Sequence, residues 1–297
     1  MDVSVIIINY NTKQITQNCI ESVIKFTKDI KYEIILIDNA SSDGSQEFFS
    51  SLMGIKLIKS KENLGFGRAN NLGYSHSSGK YIFLLNSDTI LLNNAVKEFF
   101  TEAEKMDNSI ACLGTILRDK ELNSNHSFGN FPKLKDDLLY NFFWLPLNFL
   151  FKLNNKTIGF HFNQTNNGKV DYITGADLFL RRRIIEELGL FDPSYFMYYE
   201  ETDLQKKYHS HGFFSKIIET PKIIHLEGAS NASNLTFNKM LIQLKSRLIY
   251  SKKWNHNLAF KFYLLLLLII RLPFLLFSKY TFKEKGIYLK LLTSFLK

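Results

Sequence analysis

Two cysteines, Cys19 and Cys112, are all that the 297-residue chain contains. That is too few for a disulfide framework, and their separation fits no zinc-ligand spacing. A small stapled fold and a zinc module are therefore both excluded, and the two thiols read as inert groups in apolar packing. The start of the chain, "MDVSVIIINYN", has no basic stretch before its apolar run and no small-residue cleavage site. It reads as a first strand rather than a signal peptide, and a cytoplasmic location is the expectation. No internal repeat is visible. No stretch of about 20 residues is apolar without interruption, as an ideal membrane-spanning helix would require. Acidic residues all but vanish from the C-terminal part: from Lys239 to Lys297 there are twelve Lys or Arg and one acid, Glu284.

The net charge of +9 is thus unevenly placed. The tail carries +11 and the rest of the chain −2. A basic chain that binds nucleic acid through its main domain is disfavoured, and no nucleic-acid partner is expected. A basic tail facing an anionic surface fits better. Hydrophobic content of 45% and charged content of 22% are those of a globular protein.

The first third alternates between short apolar runs and helical spacing. Val3–Asn9 and Tyr32–Asp38 are continuous apolar runs, the pattern of strands buried on both faces. Between them, Ile15, Cys19, Val23 and Phe26 recur at helical spacing. Further strands are expected at Ile55–Ile58, Tyr81–Leu85 and Ile110–Ile116, with a helix over Asn93–Met106. This order predicts an α/β fold with a mostly parallel sheet flanked by helices. Ligands of such sheets bind beyond the carboxyl ends of the strands. Residues 118–170 are Asn-rich with aromatic clumps, and read as a variable loop region, a lid or a membrane-facing insertion. Regular patterning returns over 171–235. The predicted organisation is a domain of residues 1–235, in halves 1–117 and 171–235 around that loop region, then a basic, apolar helical tail over 236–297.

Four polar clusters fall where chemistry is expected. Asp38 ends the second strand before "NASSDGS"; it suits contact with a nucleobase or ribose, or equally an Asx turn or helix cap. Asp88 follows the strand "YIFLLNSD" and suits a hard divalent cation, or again a cap. Glu200, Glu201 and Asp203 crowd three carboxylates into four residues, which raises at least one pKa and suits a general base. Acidic residues also favour a helix N-terminus for dipole reasons alone. His225 ends the apolar run "IIH", where a histidine is more often a core residue than a ligand.

Taken together, "VSVIIINYNT", "LIDNASSDGS", "ENLGFGRANNLG", "YIFLLNSDT", "TGADLFLRR", "GLFDPSYFMYYEETDL" and "IIHLEGAS" form an ordered set over roughly residues 3–230. The set resembles the inverting family-2 glycosyltransferases, in particular the rhamnosyltransferase-like branch of bacterial surface-polysaccharide synthesis. The resemblance implies the GT-A fold, with a nucleotide-sugar-binding half and an acceptor half. It implies Tyr10 and Asp38 at the base of the donor, and Asn70 where many relatives carry a nucleotide-contacting arginine. Asn86 stands at the first position of the family's Asp-any-Asp motif and Asp88 at its second. Asp88 and His225 would hold Mg²⁺ or Mn²⁺. Glu201, of the pair Glu200-Glu201, would be the base, and Asp177 would lie near the acceptor. The implied reaction is a single inverting displacement. A sugar moves from a nucleoside-diphosphate donor, UDP- or dTDP-linked, to a glycan or a polyprenyl-diphosphate-linked acceptor.

The tail adds a partner. Phe262–Ile270 is apolar throughout, bracketed by Lys261 and Arg271, with Pro273 following. Such a segment reads as an interfacial helix on an anionic membrane, giving a peripheral enzyme on the cytoplasmic face of the cell membrane. A helical pair packed on the protein, or a dimer interface, remains open. Two other functions stay open as well: a sugar nucleotidyltransferase, and an inactive protein that binds nucleotide sugar or glycan.

Overall fold

A computed structural model describes residues 1–144, 168–226, 237–278 and 280–296. These residues form two compact units that interleave in sequence: residues 1–130 with 162–234, and 131–161 with 235–297.

The first unit is built on an eight-stranded sheet. Its strands are β1 (Val3–Asn9), β2 (Tyr32–Asp38), β3 (Lys56–Lys59), β4 (Tyr81–Asn86), β6 (Ile110–Thr115), β8 (Lys169–Val170), β10 (Asp177–Arg181) and β11 (Phe214–Ile218). Their spatial order is β3-β2-β1-β4-β10-β6-β11-β8. β3, β2, β1 and β4 run parallel. β10 enters between β4 and β6 in the opposite direction, and β8 lies antiparallel on the far edge. The fold is mixed α/β with a mostly parallel sheet. Residues 174–176 form the turn from β9 (Tyr172–Ile173) into this reversed central strand.

Alternate residues of β1 explain why the sheet is covered on both faces. Val3, Val5 and Ile7 pack with Cys19, Ile20 and Val23 of α1 (Lys13–Phe26) and with Ala95, Val96 and Phe99 of α4 (Ala95–Lys105). Ile6 faces the other way, with Ala69 of α3 (Gly65–Ser75), Ile184 of α6 (Arg182–Leu188) and Leu204 of α7 (Glu200–Ser210). Each fully buried Val or Ile contributes about 1.5–3 kcal/mol. α2 (Ser45–Ser50) lies between β2 and β3. Both cysteines are buried and free, and burial pushes each thiol up to about 12, so they are inert at neutral pH.

Two small ribbons complete the unit: β5 (Thr89–Leu91) with β12 (Ile223–His225), and β7 (Phe128–Gly129) with β9 (Tyr172–Ile173). The region expected as an irregular loop over 118–170 therefore carries β7 and, at its end, β8. Part of it belongs elsewhere, because α5 (Leu134–Leu139) and the wide turn Tyr140–Trp144 are in the second unit. The remainder of that expectation, residues 145–167, lies outside the described residues.

The second unit comprises α5, α8 (Phe237–Lys253), α9 (Asn257–Leu276) and α10 (Phe282–Ser294) around Leu244, Leu248, Phe260, Leu264, Leu267 and Leu292. Asp137 of α5 anchors it: Arg247 Nη1 donates to Oδ1 at 2.7 Å and Tyr263 Oη to Oδ2 at 2.5 Å. Arg271 Nε donates to Asn141 Oδ1 at 2.6 Å. A capping box opens α10, with Thr281 and Glu284 bonding each other's backbone N–H. Among the described residues no helix is long and apolar enough to cross a membrane.

Candidate active site

A cleft of about 310 Å³ opens at the carboxyl edge of β1, β2 and β4. Parallel strands leave their C-terminal loops at that edge, and β10, running backwards, contributes its N-terminal turn to the same place. Tyr10 and Thr12 come from the end of β1, Asn39 from β2, and Asn86, Ser87 and Asp88 from β4. Thr174 and Gly175 come from the turn before β10, and Glu200 and Glu201 from the start of α7.

His225 reaches the cleft through the ribbon. β5 and β12 pair antiparallel with Thr89 opposite His225, and the Leu226 N–H donates to the Asp88 carbonyl at 2.8 Å. The Asp88 carboxylate thereby meets the His225 ring, Oδ1 to Nε2, at 3.3 Å. Two ligands of one six-coordinate Mg²⁺ or Mn²⁺, each roughly 2.1 Å from the ion, stand about 3 Å apart. The pair has the right atoms at nearly that spacing, one hard carboxylate oxygen and one imidazole nitrogen. The other ring nitrogen, Nδ1, is buried without a hydrogen-bond partner. These residues fit a divalent cation.

The carboxylate pair sits at the N-terminus of α7. Glu200 is 3% exposed, and its Oε2 is buried without a partner. Burial, and then the charge of Glu201, hold its carboxyl well above the ordinary range. Burial also raises Glu201, against the pull of the backbone N–H groups of Glu201 and Thr202. Two adjacent carboxyls in one apolar setting cannot both ionise freely, so the pair keeps a proton to higher pH than either would alone.

The approach to α7 is forced into place. Tyr198 and Tyr199 both adopt left-handed backbone, with φ of 71° and 68°. Each costs about 1–3 kcal/mol and persists only where neighbours hold it. The holding group is the "NLGFG" segment. Gly65 has φ of 76°, and a side chain there would meet the Phe196 carbonyl oxygen at 2.0 Å. The Phe66 N–H donates to that same carbonyl at 2.9 Å. Asn39 supports the segment from below: its Oδ1 accepts from the Leu64 N–H at 2.8 Å and its Nδ2 donates to the Gly65 carbonyl at 3.2 Å.

Of the residues singled out in the sequence, Tyr10, Asn86, Asp88, Glu200, Glu201 and His225 line the cleft. Asp38, Asn70, Asp177 and Asp203 do not. Asp38 is fully buried at the end of β2, accepting from Asn9 Nδ2 at 2.7 Å, the Ser41 N–H at 3.0 Å and Gln46 Nε2 at 2.8 Å. The turn reading is the one this geometry favours. Asn70 donates to the Phe66 carbonyl of its own helix at 3.1 Å. Asp203 is 2% exposed, and its backbone N–H donates to the Tyr199 carbonyl. Asp177, expected near an acceptor, is inside the sheet: its Oδ2 accepts from the Thr115 N–H at 2.6 Å and its Oδ1 is buried without a partner. Its place in β10, opposite Leu85, turns it into the core. Burial holds its carboxyl well above the ordinary range.

Met197 and Tyr198, in the apolar segment just before the acidic pair, line the cleft as well. Sequence reasoning missed Asn39, Asn63 and Thr174, which also line it. They carry no titratable carboxylate or imidazole to draw attention, and their only signal is adjacency to Asp38 and to glycine turns.

The sequence profile of glycosyl transferase family 2 matches residues 4–189. The chain belongs to this family. A curated relative, glycosyltransferase GlyG of Streptococcus pneumoniae serotype 4, is 28% identical over 130 residues, 42% of each chain. The dolichyl-phosphate beta-glucosyltransferase of Dictyostelium discoideum is 33% identical over 156 residues, 47% of this chain and 46% of that one. The chain spans half or less of the length of the first such relatives. Among solved structures, GalNAc-T7 with UDP, GalNAc and Mn²⁺ superposes with a TM-score of 0.59 at 17% identity, covering 86% of this chain and 48% of that one. The family-2 chain thus has the GT-A-like architecture of nucleotide-sugar transferases, a mixed central sheet flanked by helices.

Proposed function

We propose that the chain is an inverting sugar transferase that uses a nucleoside-diphosphate sugar and a divalent cation. The observation that carries this reading is the meeting, in one cleft, of the Asp88–His225 pair with the Glu200–Glu201 pair. Tyr10, exposed at the cleft, is placed to flank the nucleobase, and Asp38 to shape the loop around it. Asp88 and His225 would hold Mg²⁺ or Mn²⁺ with the donor's diphosphate oxygens. When bound, that ion neutralises charge growing on the departing diphosphate.

Glu201 accepts the proton of the acceptor hydroxyl. The hydroxyl oxygen forms its bond to the anomeric carbon as the bond from that carbon to the phosphate oxygen breaks. Nucleoside diphosphate leaves, and the single displacement inverts the centre. Glu200, kept protonated by burial and by its neighbour, leaves Glu201 as the ionised member of the pair. Holding donor and acceptor side by side in the cleft supplies the proximity that the reaction needs.

The donor is read as UDP- or dTDP-linked, carrying a hexose or a deoxyhexose of the rhamnosyl type. The acceptor is read as a growing glycan or a polyprenyl-diphosphate-linked sugar of a bacterial surface polysaccharide. The dolichyl-phosphate relative supports a lipid-linked acceptor by analogy.

The test is a donor screen on the full chain, following nucleoside diphosphate release with and without EDTA. One donor turned over, with loss in EDTA and recovery in Mn²⁺, is the expected result. Tight donor binding with no release from any donor in the presence of acceptor glycans would replace this reading with that of a binding protein.

A further inference from the structure

Helix α9 has two apolar faces, and its own unit uses one of them. Phe260, Tyr263, Leu264, Leu267 and Leu275 point inward to Leu244, Leu248 and Leu292. Leu258, Phe262, Leu265, Ile269, Leu272 and Leu276 follow a four-three-four-three-four spacing, which places them on one side of a helix. Each is between 44% and 72% exposed. Beyond the end of α9, Phe277 is 79% exposed and Phe282, at the start of α10, is 95% exposed. A stripe of this length, ending in two exposed phenylalanines, exceeds the scattered apolar residues of ordinary surfaces.

Charge decides what covers it. The stretch from Lys239 onward has twelve cations against one acid, with Lys261, Lys283 and Lys290 exposed on α9 and α10. Two copies meeting through this stripe would bring two such surpluses together, whereas anionic headgroups neutralise them. The helix is also held against crossing a bilayer. Its inner face is pinned by Tyr263 to Asp137 and by Arg271 to Asn141, so one side must stay on protein along its whole length.

We propose that the exposed face of α9, with Phe277 and Phe282, lies flat in the interface of an anionic phospholipid bilayer. The apolar stripe enters the boundary of the acyl chains, and Lys261, Lys283 and Lys290 reach the headgroup phosphates. The docking face belongs to the C-terminal unit and makes no use of the transferase cleft, so it stands whether or not sugar transfer is found.

The experiment is co-sedimentation of the full chain with phosphatidylcholine vesicles made with and without phosphatidylglycerol. The wild type is expected to partition onto the anionic vesicles, less so at high salt. The double substitution Leu265→Glu/Ile269→Glu, at exposed positions, is expected to lower partitioning at least ~10-fold at an unchanged thermal midpoint. A wild type that stays in the supernatant overturns the proposal, as does a folded double variant that partitions like the wild type. So does a wild-type dimer in vesicle-free solution that the double variant converts to monomer, since the stripe would then belong to a second copy. Should the double variant misfold, a fluorophore on Leu265→Cys answers the same question. Cys19 and Cys112 are buried, so the label goes to the new thiol. Its emission is expected to shift to the blue on anionic vesicles, and an unchanged spectrum overturns the proposal.

Discussion

The Asp88 carboxylate and the His225 ring stand 3.3 Å apart because Thr89 and His225 face each other across a two-stranded ribbon. Neither residue could be assigned to the other from sequence spacing. Asp88→Asn and His225→Ala are each expected to weaken Mn²⁺ binding about 10–100-fold, measured by calorimetry with nucleoside diphosphate present, and to lower turnover at least as much. Excess Mn²⁺ is expected to restore part of the loss in His225→Ala. A variant of either residue with wild-type Mn²⁺ affinity would remove it from the ligand set.

Glu201→Gln keeps the size of the side chain and removes its basicity. Turnover is expected to fall about 10²–10⁴-fold, the usual worth of a general base, while the KM for donor stays within a few-fold. Steady-state rates at saturating donor and acceptor check this.

The burial of the Glu200–Glu201 pair sets a pH profile. Both carboxyls are raised, and the base works ionised, so the rate is expected to climb with pH through a value above the ordinary glutamate range. Glu200→Gln is the uncharged counterpart of the protonated Glu200, so the acid limb, set by burial of Glu201, is expected to stay in place. A limb that moves to lower pH would mean that Glu200 carries charge beside Glu201.

Asp177 makes the opposite kind of prediction, one about stability. Its folded-state pKa is raised above the unfolded value. Its stability contribution is therefore full below the unfolded pKa and is lost as pH rises through the folded one. Asp177→Asn retains an acceptor for the Thr115 N–H and cannot ionise. It is expected to exceed the wild type in stability at neutral pH and to flatten the pH dependence, as read from urea unfolding across a pH series.

Gly65→Ala sets a methyl group against the Phe196 carbonyl and puts a side chain on left-handed backbone. A loss of about 2–4 kcal/mol is expected, by thermal or chemical unfolding. Because Phe196 leads directly to Tyr198 and Glu200, activity should fall further than the lost stability accounts for.

The strands buried on both faces were the most legible part of the sequence. Val3–Asn9 and Tyr32–Asp38 begin and end where their apolar runs do. The reversal of β10 was not legible, since "DLFLR" has the same pattern whichever way it runs. β5 and β12 are three residues each, too short to show a period. At the site, Asp88, Glu200, Glu201 and His225 could be picked out by their chemistry. For Asp38 two readings were open, and its three protein donors favour the turn. Asp177 entered the site through the family resemblance. Only its partners in the sheet reveal that its carboxyl is buried in the core.

Asp137 has a consequence for how the chain comes into being. Its partners Arg247 and Tyr263 lie 110 and 126 residues further along. At ribosomal rates of about 5–20 residues per second, α5 waits roughly 5–25 s for them. During that interval Leu134 and Leu138, which later pack on the C-terminal helices, have no core to join. Ending the chain before α8 would make the wait permanent. A clean removal of the C-terminal helices must therefore take residues 131–144 as well, or replace Leu134 and Leu138 with polar residues.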